Sequence, residues 1–284
     1  MKTFSILLQN HQYKSLPQED HFKITKNIFS VADGITRDPE TSIYWKDKSR
    51  EELIKDYPQK SGAYLAAKFF CSSFNKYLSN KEINQKNLRS AFIFANNQIK
   101  NLNKRYIPVP DYLVNDFYAC VASGGVIKDG FLYWGAITDC GIIVYDKKGK
   151  TKFQTPDYME PFAKYISKHK GYWNDPKRRV FIRSIFRNNS KQIKNGKLVS
   201  YGALTGEKQA EFFMHFGKVR LEKDDVIIFH TDGFTPIINN ENFQTILSKD
   251  FMGIKSKISS LTSKLISQDI EKYGKEKTLV AIKL

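Results

Sequence analysis

Three apolar segments of this chain each stop at an aspartate close to a glycine, and this pattern constrains the fold more than any other feature. The segments end at Asp33, Asp139 and Asp232, in the contexts VADG, AITDCG and FHTDG. Short apolar runs that end this abruptly are typical of β-strands that enter a turn. One Asp-Gly pair would fit a simple turn, because it is a favoured turn pair. Three instances favour a second interpretation, in which the carboxylates project from the ends of neighbouring strands and converge.

Further acidic residues stand near these strand ends in the sequence. Glu19 and Asp20 precede the first segment, and Glu276 precedes the last apolar run of the chain. Convergent carboxylates repel one another strongly unless cations neutralise them. Oxygen ligands favour Mg²⁺ or Mn²⁺, since the cysteines are widely spaced and no histidine cluster offers softer donors. Two such ions about 4 Å apart can activate a bridging water for attack on a phosphate, so the pattern predicts a phosphohydrolase.

Hydrophobic periodicity predicts the remaining elements. Apolar residues recur at helical spacing over 61–78 and 88–102, which predicts two helices. Residues 117–127, 130–138 and 141–145 are predicted to form a meander of antiparallel strands. The other predicted elements are strands at 4–8, 27–32, 225–231 and 278–284 and a helix at about 251–271.

The composition excludes a disordered chain and favours a protein outside the membrane. Hydrophobic residues make up 41% and aromatic residues 14% of the 284 residues, which is too much apolar surface for disorder. No apolar run approaches the roughly 20 residues that cross a bilayer, and the N-terminus lacks a signal-peptide pattern, so a cytoplasmic location is expected. No repeat or linker divides the chain. We therefore expect a monomer with a single domain over 1–284 and a basic, partly helical, flap-like insertion at about 150–200.

The chain is strongly basic, with 46 Lys and Arg residues against 29 Asp and Glu residues and a formal net charge of +17. Clustered cations favour binding to nucleic acid, because binding releases counterions. Here the charge is mostly lysine and is spread along the chain, so nucleic-acid binding is the less favoured interpretation. The basic segment 177–197 has two open interpretations: a surface that steers phosphorylated or acidic proteins, or a solvated helix face.

Six motifs, in their order along the chain, resemble those of one known family. They are QED at 18–20, VADG at 31–34, ITD at 137–139, GALTGE at 202–207, DDVIIFHTDG at 224–233 and KEKTLVAI at 275–282. Over essentially its whole length the chain resembles the metal-dependent type 2C (PPM) protein serine/threonine phosphatases. The resemblance implies an α+β fold, a four-layer α-β-β-α sandwich of two antiparallel sheets flanked by helices. It also implies hydrolysis of phosphoserine or phosphothreonine in a phosphorylated protein substrate, through a water activated by two metals and with two or three Mn²⁺ or Mg²⁺ ions as cofactors.

The resemblance implies a shared metal ligand at the end of the first strand motif. Asp33 would bridge both metals, and the Gly34 carbonyl would contribute to the second metal. Glu19 would serve that second metal as well, with Asp20 as a further or supporting ligand. The first half of the chain would therefore supply most of the ligands of one ion.

The resemblance places the other ligands near the last two strands and at the middle aspartate. Asp232 would bind the first metal, and Asp139 would belong to an additional, weaker metal site. The closing strand of the family normally begins with an acidic ligand, but Lys275 stands at that position, with Glu276 beside it. A charged lysine cannot ligate a metal, so either Glu276 reaches the first metal or that metal loses a protein ligand. Loss of Asp33 or Asp232 is expected to remove activity.

Two further positions depart from the family pattern. The histidine that follows the first Asp-Gly in many members, a candidate proton donor to the leaving group, is Ile35 here. Protonation of the leaving group would then fall to metal-bound water or to His230, although a buried structural histidine is the favoured interpretation of His230. Arg37 is the candidate catalytic residue for gripping phosphate, because a guanidinium matches two phosphate oxygens; a surface salt bridge to Asp38 or Glu40 explains it equally well.

These departures leave a second function open. A phosphatase-like domain that has lost catalysis would bind phosphorylated partners with weak metal affinity and without turnover. The less favoured nucleic-acid-binding alternative predicts an affinity that falls steeply with salt and does not need Asp33. A third alternative is a phosphatase whose substrate is a small phosphorylated molecule.

Overall fold

The computed structural model describes residues 1–12, 16–36, 58, 60–112, 115–168, 176–247 and 251–284. The strands are β1 (Lys2–Leu8), β2 (His21–Thr25), β3 (Ile28–Gly34), β4 (Cys120–Lys128), β5 (Phe131–Ile137), β6 (Gly141–Tyr145), β7 (Thr151–Gln154), β8 (Ile193–Lys194), β9 (Lys197–Leu198), β10 (Met214–Arg220), β11 (Val226–His230) and β12 (Lys277–Lys283). The helices are α1 (Gly62–Leu78), α2 (Gln85–Tyr106), α3 (Glu160–Ile166), α4 (Pro176–Phe186), α5 (Thr235–Ile238), α6 (Glu241–Leu247), α7 (Phe251–Gln268) and α8 (Ile270–Tyr273), and 3₁₀ turns lie at Lys208–Phe213 and Asp232–Phe234.

Ten of these strands form two antiparallel five-stranded sheets. The first sheet has the order β1-β12-β11-β6-β7, and the second has the order β10-β5-β4-β3-β2. The last strand of the chain, β12, therefore lies inside the first sheet, between β1 and β11. The short strands β8 and β9 form a separate ribbon.

The two sheets pack face to face, and helices cover their outer faces. Between the sheets, the stacked rings of Phe29 and Phe229 have centroids 6.0 Å apart within a buried apolar cluster. Helices α1 and α2 cover the second sheet, where the Phe70 ring packs 5.1 Å from the Phe92 ring. Helices α5 to α7 cover the first sheet. The α+β fold and the four-layer α-β-β-α sandwich implied by the resemblance are confirmed.

Helix α1 begins where the sequence provides a cap. The hydroxyl of Ser61 accepts the backbone N–H of Tyr64 at 3.1 Å, as expected of an N-cap serine. Apolar residues at helical spacing then face the second sheet. The buried Asn75 joins α1 to that sheet, because its side-chain oxygen accepts the Ser30 hydroxyl at 2.7 Å. The helix thereby holds the strand that ends at the first aspartate.

The predicted meander is wrong at its third strand. Strands β4 and β5 pair as expected, but β6 pairs with β11 and β7 in the other sheet. Thr138 adopts a φ of +65°, which breaks the strand geometry at the end of β5. The chain then crosses between the sheets at Asp139 and Cys140. The middle aspartate therefore lies in a connection between the two sheets.

Several strands of the structure are not predicted from the sequence. Strand β2 is one of them, although its five residues alternate between polar and apolar and its apolar residues, Phe22 and Ile24, pack against the cluster between the sheets. Strands β7 and β10 also pair in the sheets although no strand is predicted at either place. For most of the confirmed strands and helices, the ends in the structure differ from the predicted ends by one to four residues. Boundaries are the part of an element that sequence patterns predict least well.

The region expected to be a flap-like insertion includes α3, α4, β8 and β9. Its described residues pack around their own small apolar cluster, which contains Phe162, Ile182, Phe186, Val199 and Tyr201. In the described parts of the chain, no helix combines the length and apolar character needed to cross a bilayer.

Candidate active site

The three aspartates that end the apolar segments lie at one end of the sandwich, where both sheets contribute. Asp33 is the penultimate residue of β3 in the second sheet, and Asp232 follows β11 in the first sheet. Asp139 lies in the connection that crosses between the sheets. Burial is the largest cause of the raised pKa of Asp33. Four nearby carboxylates raise it further: Asp20, Asp232, Asp139 and Glu276. The structure therefore brings the three aspartates together, with Asp20 and Glu276 close to them.

Burial and mutual repulsion make these carboxyl groups difficult to ionise. The pKa of Asp33 is raised well above its usual range. Burial raises the pKa of Asp20 and of Asp139 to about 7 in each case, and the Asp232 carboxylate adds to both shifts. A cation placed among these groups would offset the repulsion. The arrangement is therefore one that favours bound positive charge.

Asp232 differs from its neighbours because a lysine neutralises it. The Nζ atom of Lys275 lies 2.9 Å from Oδ2 of Asp232. Burial is the largest single effect on Asp232 and opposes its ionisation, but the charge and the hydrogen bond of Lys275, together with smaller contributions from Asp33 and His230, hold the pKa of Asp232 below its usual value. The pair is open to solvent on one side, with 56% of the Lys275 side chain exposed. The position where the resemblance implies an acidic ligand therefore carries a cation that pairs with another implied ligand.

Glu276, the alternative ligand at the start of β12, holds the loop that precedes β2. Its Oε1 atom accepts the backbone N–H of Glu19 at 2.6 Å, the backbone N–H of Asp20 and the side-chain amide of Gln18. Burial and the carboxylate of Asp20 raise the pKa of Glu276 to about 9. These contacts give Glu276 a clear role in placing Glu19 and Asp20, whereas none of its described hydrogen bonds joins it to Asp232.

Glu19 and Asp20 are both buried and both accept hydroxyl hydrogen bonds. The two carboxylate oxygens of Glu19 accept the hydroxyls of Ser61 and Thr36, one each. Oδ2 of Asp20 accepts the Thr231 hydroxyl at 2.7 Å. Glu19 thus connects the N-terminus of α1 to the chain just after Asp33–Gly34, and Asp20 connects the same loop to the end of β11.

Two glycines beside the aspartates are required by close packing, since neither adopts a positive φ. A Cβ on Gly34 would lie 2.7 Å from the carbonyl carbon and oxygen of Ala63 and 2.8 Å from the carbonyl oxygen of Glu19. A Cβ on Gly233 would lie 2.0 Å from the carbonyl oxygen of Glu276. The simple turn interpretation of Asp-Gly is therefore wrong at these two positions, where the glycine lets another backbone approach the site.

A cavity of about 370 Å³ opens beside Asp232 and Asp139. His230 also lines it and is only 5% exposed. Its Nδ1 atom donates to the carbonyl of Thr231 at 3.0 Å, and burial lowers the pKa of the imidazole. A neutral ring fixed in this way favours the structural interpretation of His230 over a role as proton donor. Asp157, which sequence patterns do not single out, contributes a third carboxylate to the cavity.

Arg37 lies outside the described residues, but two other arginines lie close to the site loop. Arg187 forms a bidentate pair with Asp116, with both Nη–Oδ distances at 3.0 Å. Arg183 contacts the same carboxylate at 3.3 Å and donates to the carbonyl of Thr36 at 3.2 Å. Both arginines are buried. Both open interpretations of the basic segment, a steering surface and a solvated helix face, are therefore wrong for these two cations.

The sequence interpretation missed the partners that fix the acidic residues. Thr36 and Ser61 lie outside the six motifs, and Thr231 lies inside one without being singled out as a partner. Arg183 and Arg187 offered a weak signal, because their i,i+4 spacing places them on one face of a helix, beside the apolar positions Ile182 and Phe186. Hydrophobic neighbours of this kind indicate a buried face.

No protein-family model and no curated relative matches this chain. Several solved structures, however, are similar to it over nearly its whole length. The serine/threonine phosphatase PstP/Ppp of Mycobacterium tuberculosis is similar with a TM-score of 0.61 at 12% identity, over 99% of this chain and 96% of that chain. The S. agalactiae serine/threonine phosphatase has a TM-score of 0.61 at 13% identity, over 99% of this chain and 98% of that chain. The PPM Ser-Thr phosphatase MsPP of Mycobacterium smegmatis has a TM-score of 0.59 at 11% identity, over 100% of this chain and 98% of that chain.

This chain has the fold of the PPM-type serine/threonine phosphatases. The similarity extends over nearly the whole of each chain, which agrees with the order of the six sequence motifs. At identities of 11 to 13%, the similarity establishes the fold and leaves the chemistry to be argued from the residues.

The PPM fold implies divalent cations, and a structure of the PstP catalytic domain is in complex with two manganese ions. Around Asp33, the donors are carboxylate and carbonyl oxygens, which suit Mg²⁺ or Mn²⁺. Within the part of the chain that the structure describes, no three Asp, Glu, His or Cys side chains are grouped so as to hold a metal ion. At Asp232 the ammonium of Lys275 already supplies positive charge. By donor type alone, the oxygens around Asp33 suit one divalent ion, although no three of the described side chains are grouped around one point. A second ion at Asp232 does not fit while Lys275 is paired there.

Proposed function

We propose that this chain is a metal-dependent phosphoprotein phosphatase that hydrolyses phosphoserine or phosphothreonine. The observation that carries the proposal is the convergence of Asp33, Asp139 and Asp232 at one end of a PPM-type sandwich. Carboxylates in this arrangement favour bound cations, and bound cations in turn attract the anionic phosphate of a substrate. The adjacent cavity beside Asp139 and Asp232 gives a phosphorylated side chain a place to enter.

The site residues have distinct roles in this proposal. Asp33 is the central metal ligand, supported by Glu19, Asp20 and the carbonyl of Gly34. A bound Mn²⁺ or Mg²⁺ would supply an activated water and would neutralise charge on the phosphate. Asp139 serves an additional, weaker ion. These assignments agree with the burial of the Glu19 and Asp20 carboxylates, which hydrogen bonds from neighbouring hydroxyls hold in place.

Two residues complete the proposed site. Glu276 positions the loop that carries Glu19 and Asp20, through the hydrogen bonds to its Oε1 atom. Arg37, in the segment after Gly34, is proposed to grip the phosphate, because a guanidinium offers two parallel N–H donors.

The proposal is tested by hydrolysis of 4-nitrophenyl phosphate and of a phosphoserine peptide, with Mn²⁺ and with chelator. We expect turnover that requires the metal and that falls roughly a hundredfold or more in Asp33→Asn, because the central ligand loses its charge. Asp129→Asn is the matched control, since Asp129 lies in the β4–β5 turn with 80% of its side chain exposed. A folded wild-type chain without turnover at millimolar Mn²⁺, or full activity in Asp33→Asn, would contradict the proposal.

One observation favours a second candidate, a phosphate-binding domain without turnover. The Lys275 ammonium pairs with Asp232 and still presents more than half of its side chain to solvent, so it offers a positive charge to an anion without a metal. This candidate predicts that a phosphoserine peptide binds more tightly than its unphosphorylated form in the presence of chelator, and that Lys275→Met removes the difference. Equal binding of both peptides by the wild type would exclude it.

The organisation of the chain is part of the same proposal. We infer a single domain over 1–284, acting as a monomer on phosphorylated proteins of the cytoplasm. Light scattering during size-exclusion chromatography checks the monomer directly, with a mass of 32.9 kDa expected. A mass of twice that value would contradict it.

A further inference from the structure

Hydrogen bonds anchor the backbone on both sides of Lys275, so the fold sets the point from which its side chain extends. The preceding residue, Gly274, accepts the backbone N–H of His11 at 2.7 Å through its carbonyl and ends α8 by donating to Ile270. The carbonyl of Lys275 itself accepts the Nζ of Lys277. Strand β12 begins two residues later and is paired on both sides. Lys275 therefore extends from an anchored strand end toward Asp232.

The ammonium of Lys275 is surrounded by acidic residues of the site. Its closest partner is Asp232, at 2.9 Å. The negative charges of Asp232, Asp33 and Asp139 together raise the pKa of Lys275, although burial opposes the shift. Lys277, the next lysine along the strand, is directed elsewhere, because its Nζ donates to the carbonyls of Tyr273 and Lys275. Both lysines are within the field of the acidic residues, but of the two only Lys275 forms an ion pair with one of them.

A divalent ion and this ammonium compete for the same carboxylate. An ammonium has no lone pair and cannot serve as a ligand. A doubly charged ion about 4 Å from it would be repelled strongly at the effective dielectric constant of a protein surface. Binding of an ion to Asp232 would therefore require the existing ion pair to break. At Asp33, by contrast, Lys275 acts only through its charge, because its ion pair and its hydrogen bond are both with Asp232.

We propose that Lys275 is a resident cation that takes the place of the first divalent ion at Asp232, an assignment that rests on the proposed function. The chain then binds one divalent ion fewer than its acidic residues alone would predict. One of the positive charges that a phosphate meets in this site belongs to the protein and is present without metal. The inference goes beyond the PPM fold, because it concerns a lysine that departs from the family pattern.

The test counts Mn²⁺ ions by isothermal titration calorimetry on the purified full-length chain at pH 7.5. Lys275→Asp replaces the ammonium by a carboxylate, and Lys275→Met removes the charge without adding a ligand. Lys223→Asp is the matched control, because Lys223 is exposed in the turn before β11, at the opposite end of that strand from Asp232. Because Lys275 is more than half exposed, these substitutions leave the core intact, and circular dichroism verifies that each variant is folded.

We expect Lys275→Asp to bind one Mn²⁺ more per chain than the wild type, or to bind its weakest ion at least about tenfold more tightly. Lys275→Met should show a smaller gain in affinity, and Lys223→Asp should match the wild type. Adding Asp232→Asn to Lys275→Asp should remove the gained ion. Equal numbers of ions with equal affinities in the wild type and Lys275→Asp would overturn the inference, as would retention of the gained ion without Asp232.

The same experiment separates this inference from the proposed function, because ion counting does not require turnover. If no variant hydrolyses a phosphate ester and Lys275→Asp still gains the ion, the resident cation is supported while the phosphatase activity fails. If the wild type hydrolyses phosphate esters and the ion counts do not differ, the phosphatase stands and the resident cation is overturned.

Discussion

Two lysines separated by one residue have opposite environments at the start of β12. Lys275 pairs with a carboxylate at the surface of the site, and its charge is stabilised. Lys277 is fully buried, and its Nζ donates to two backbone carbonyls. The carbonyls satisfy its N–H groups, and the charges of Asp20, Asp232 and Glu276 offset only part of the cost of burying the ammonium. Side-chain chemistry at this strand end is therefore set by the partner of each residue and could not be inferred from residue type.

Burial of Lys277 predicts a pH dependence of stability. Desolvation lowers the pKa of Lys277 to about 8, whereas an unfolded lysine titrates near 10.4. Between these values the unfolded chain binds more protons than the folded chain, so the free energy of unfolding rises with pH. We expect the wild type to gain up to about 3 kcal/mol relative to Lys277→Met between pH 8 and pH 10.4. Urea unfolding of both proteins across this range measures the difference, and a difference that stays flat or falls would contradict the pKa shift.

Elements with a strong local pattern could be predicted from the sequence. The helical spacing of apolar residues predicts α1 and α2, and continuous apolar runs predict β3, β11 and β12, which are buried on both faces. Other elements depend on distant partners. The sheet to which β6 belongs is decided by β11, which follows it by about eighty residues, and by the break at Thr138. Local sequence carries no information about that choice.

Helix α4 is attached to the site loop by buried charges, which gives a prediction at the scale of an element. Arg187→Lys keeps the charge but loses the bidentate contact with Asp116, and we expect a loss of about 2 kcal/mol in the free energy of unfolding. The control is Arg220→Lys at the exposed end of β10, which should change stability by less than about 0.5 kcal/mol. Urea unfolding compares the two variants. Equal stabilities would show that the Asp116 pair does not hold the helix.

The site exists only when the whole sandwich is assembled. Asp33 belongs to one sheet and Asp232 to the other, and hydrogen bonds from Thr231 to Asp20 and from Ser61 to Glu19 connect segments that are remote in sequence. Sequence patterns could identify the acidic residues, because each aspartate ends a recognisable strand. They could not identify the hydroxyls and cations that hold those residues, because these partners meet only through tertiary packing.

The net charge of the whole molecule does not describe the charge around the site. The net charge of the chain is +17, yet the site itself is acidic. Two arginines of the basic segment, Arg183 and Arg187, form buried ion pairs with Asp116 and are not part of a basic surface. Net charge therefore says little about what this end of the molecule binds.

Crystals of the wild-type chain soaked in MnCl₂ and measured at the manganese absorption edge would locate the ions directly. The proposed site predicts an anomalous peak against the carboxylate of Asp33, with Lys275 still paired to Asp232 and no peak between these two residues. A manganese ion bound to Asp232 with Lys275 displaced would contradict the resident cation, and the absence of any peak at Asp33 would contradict the metal-dependent site.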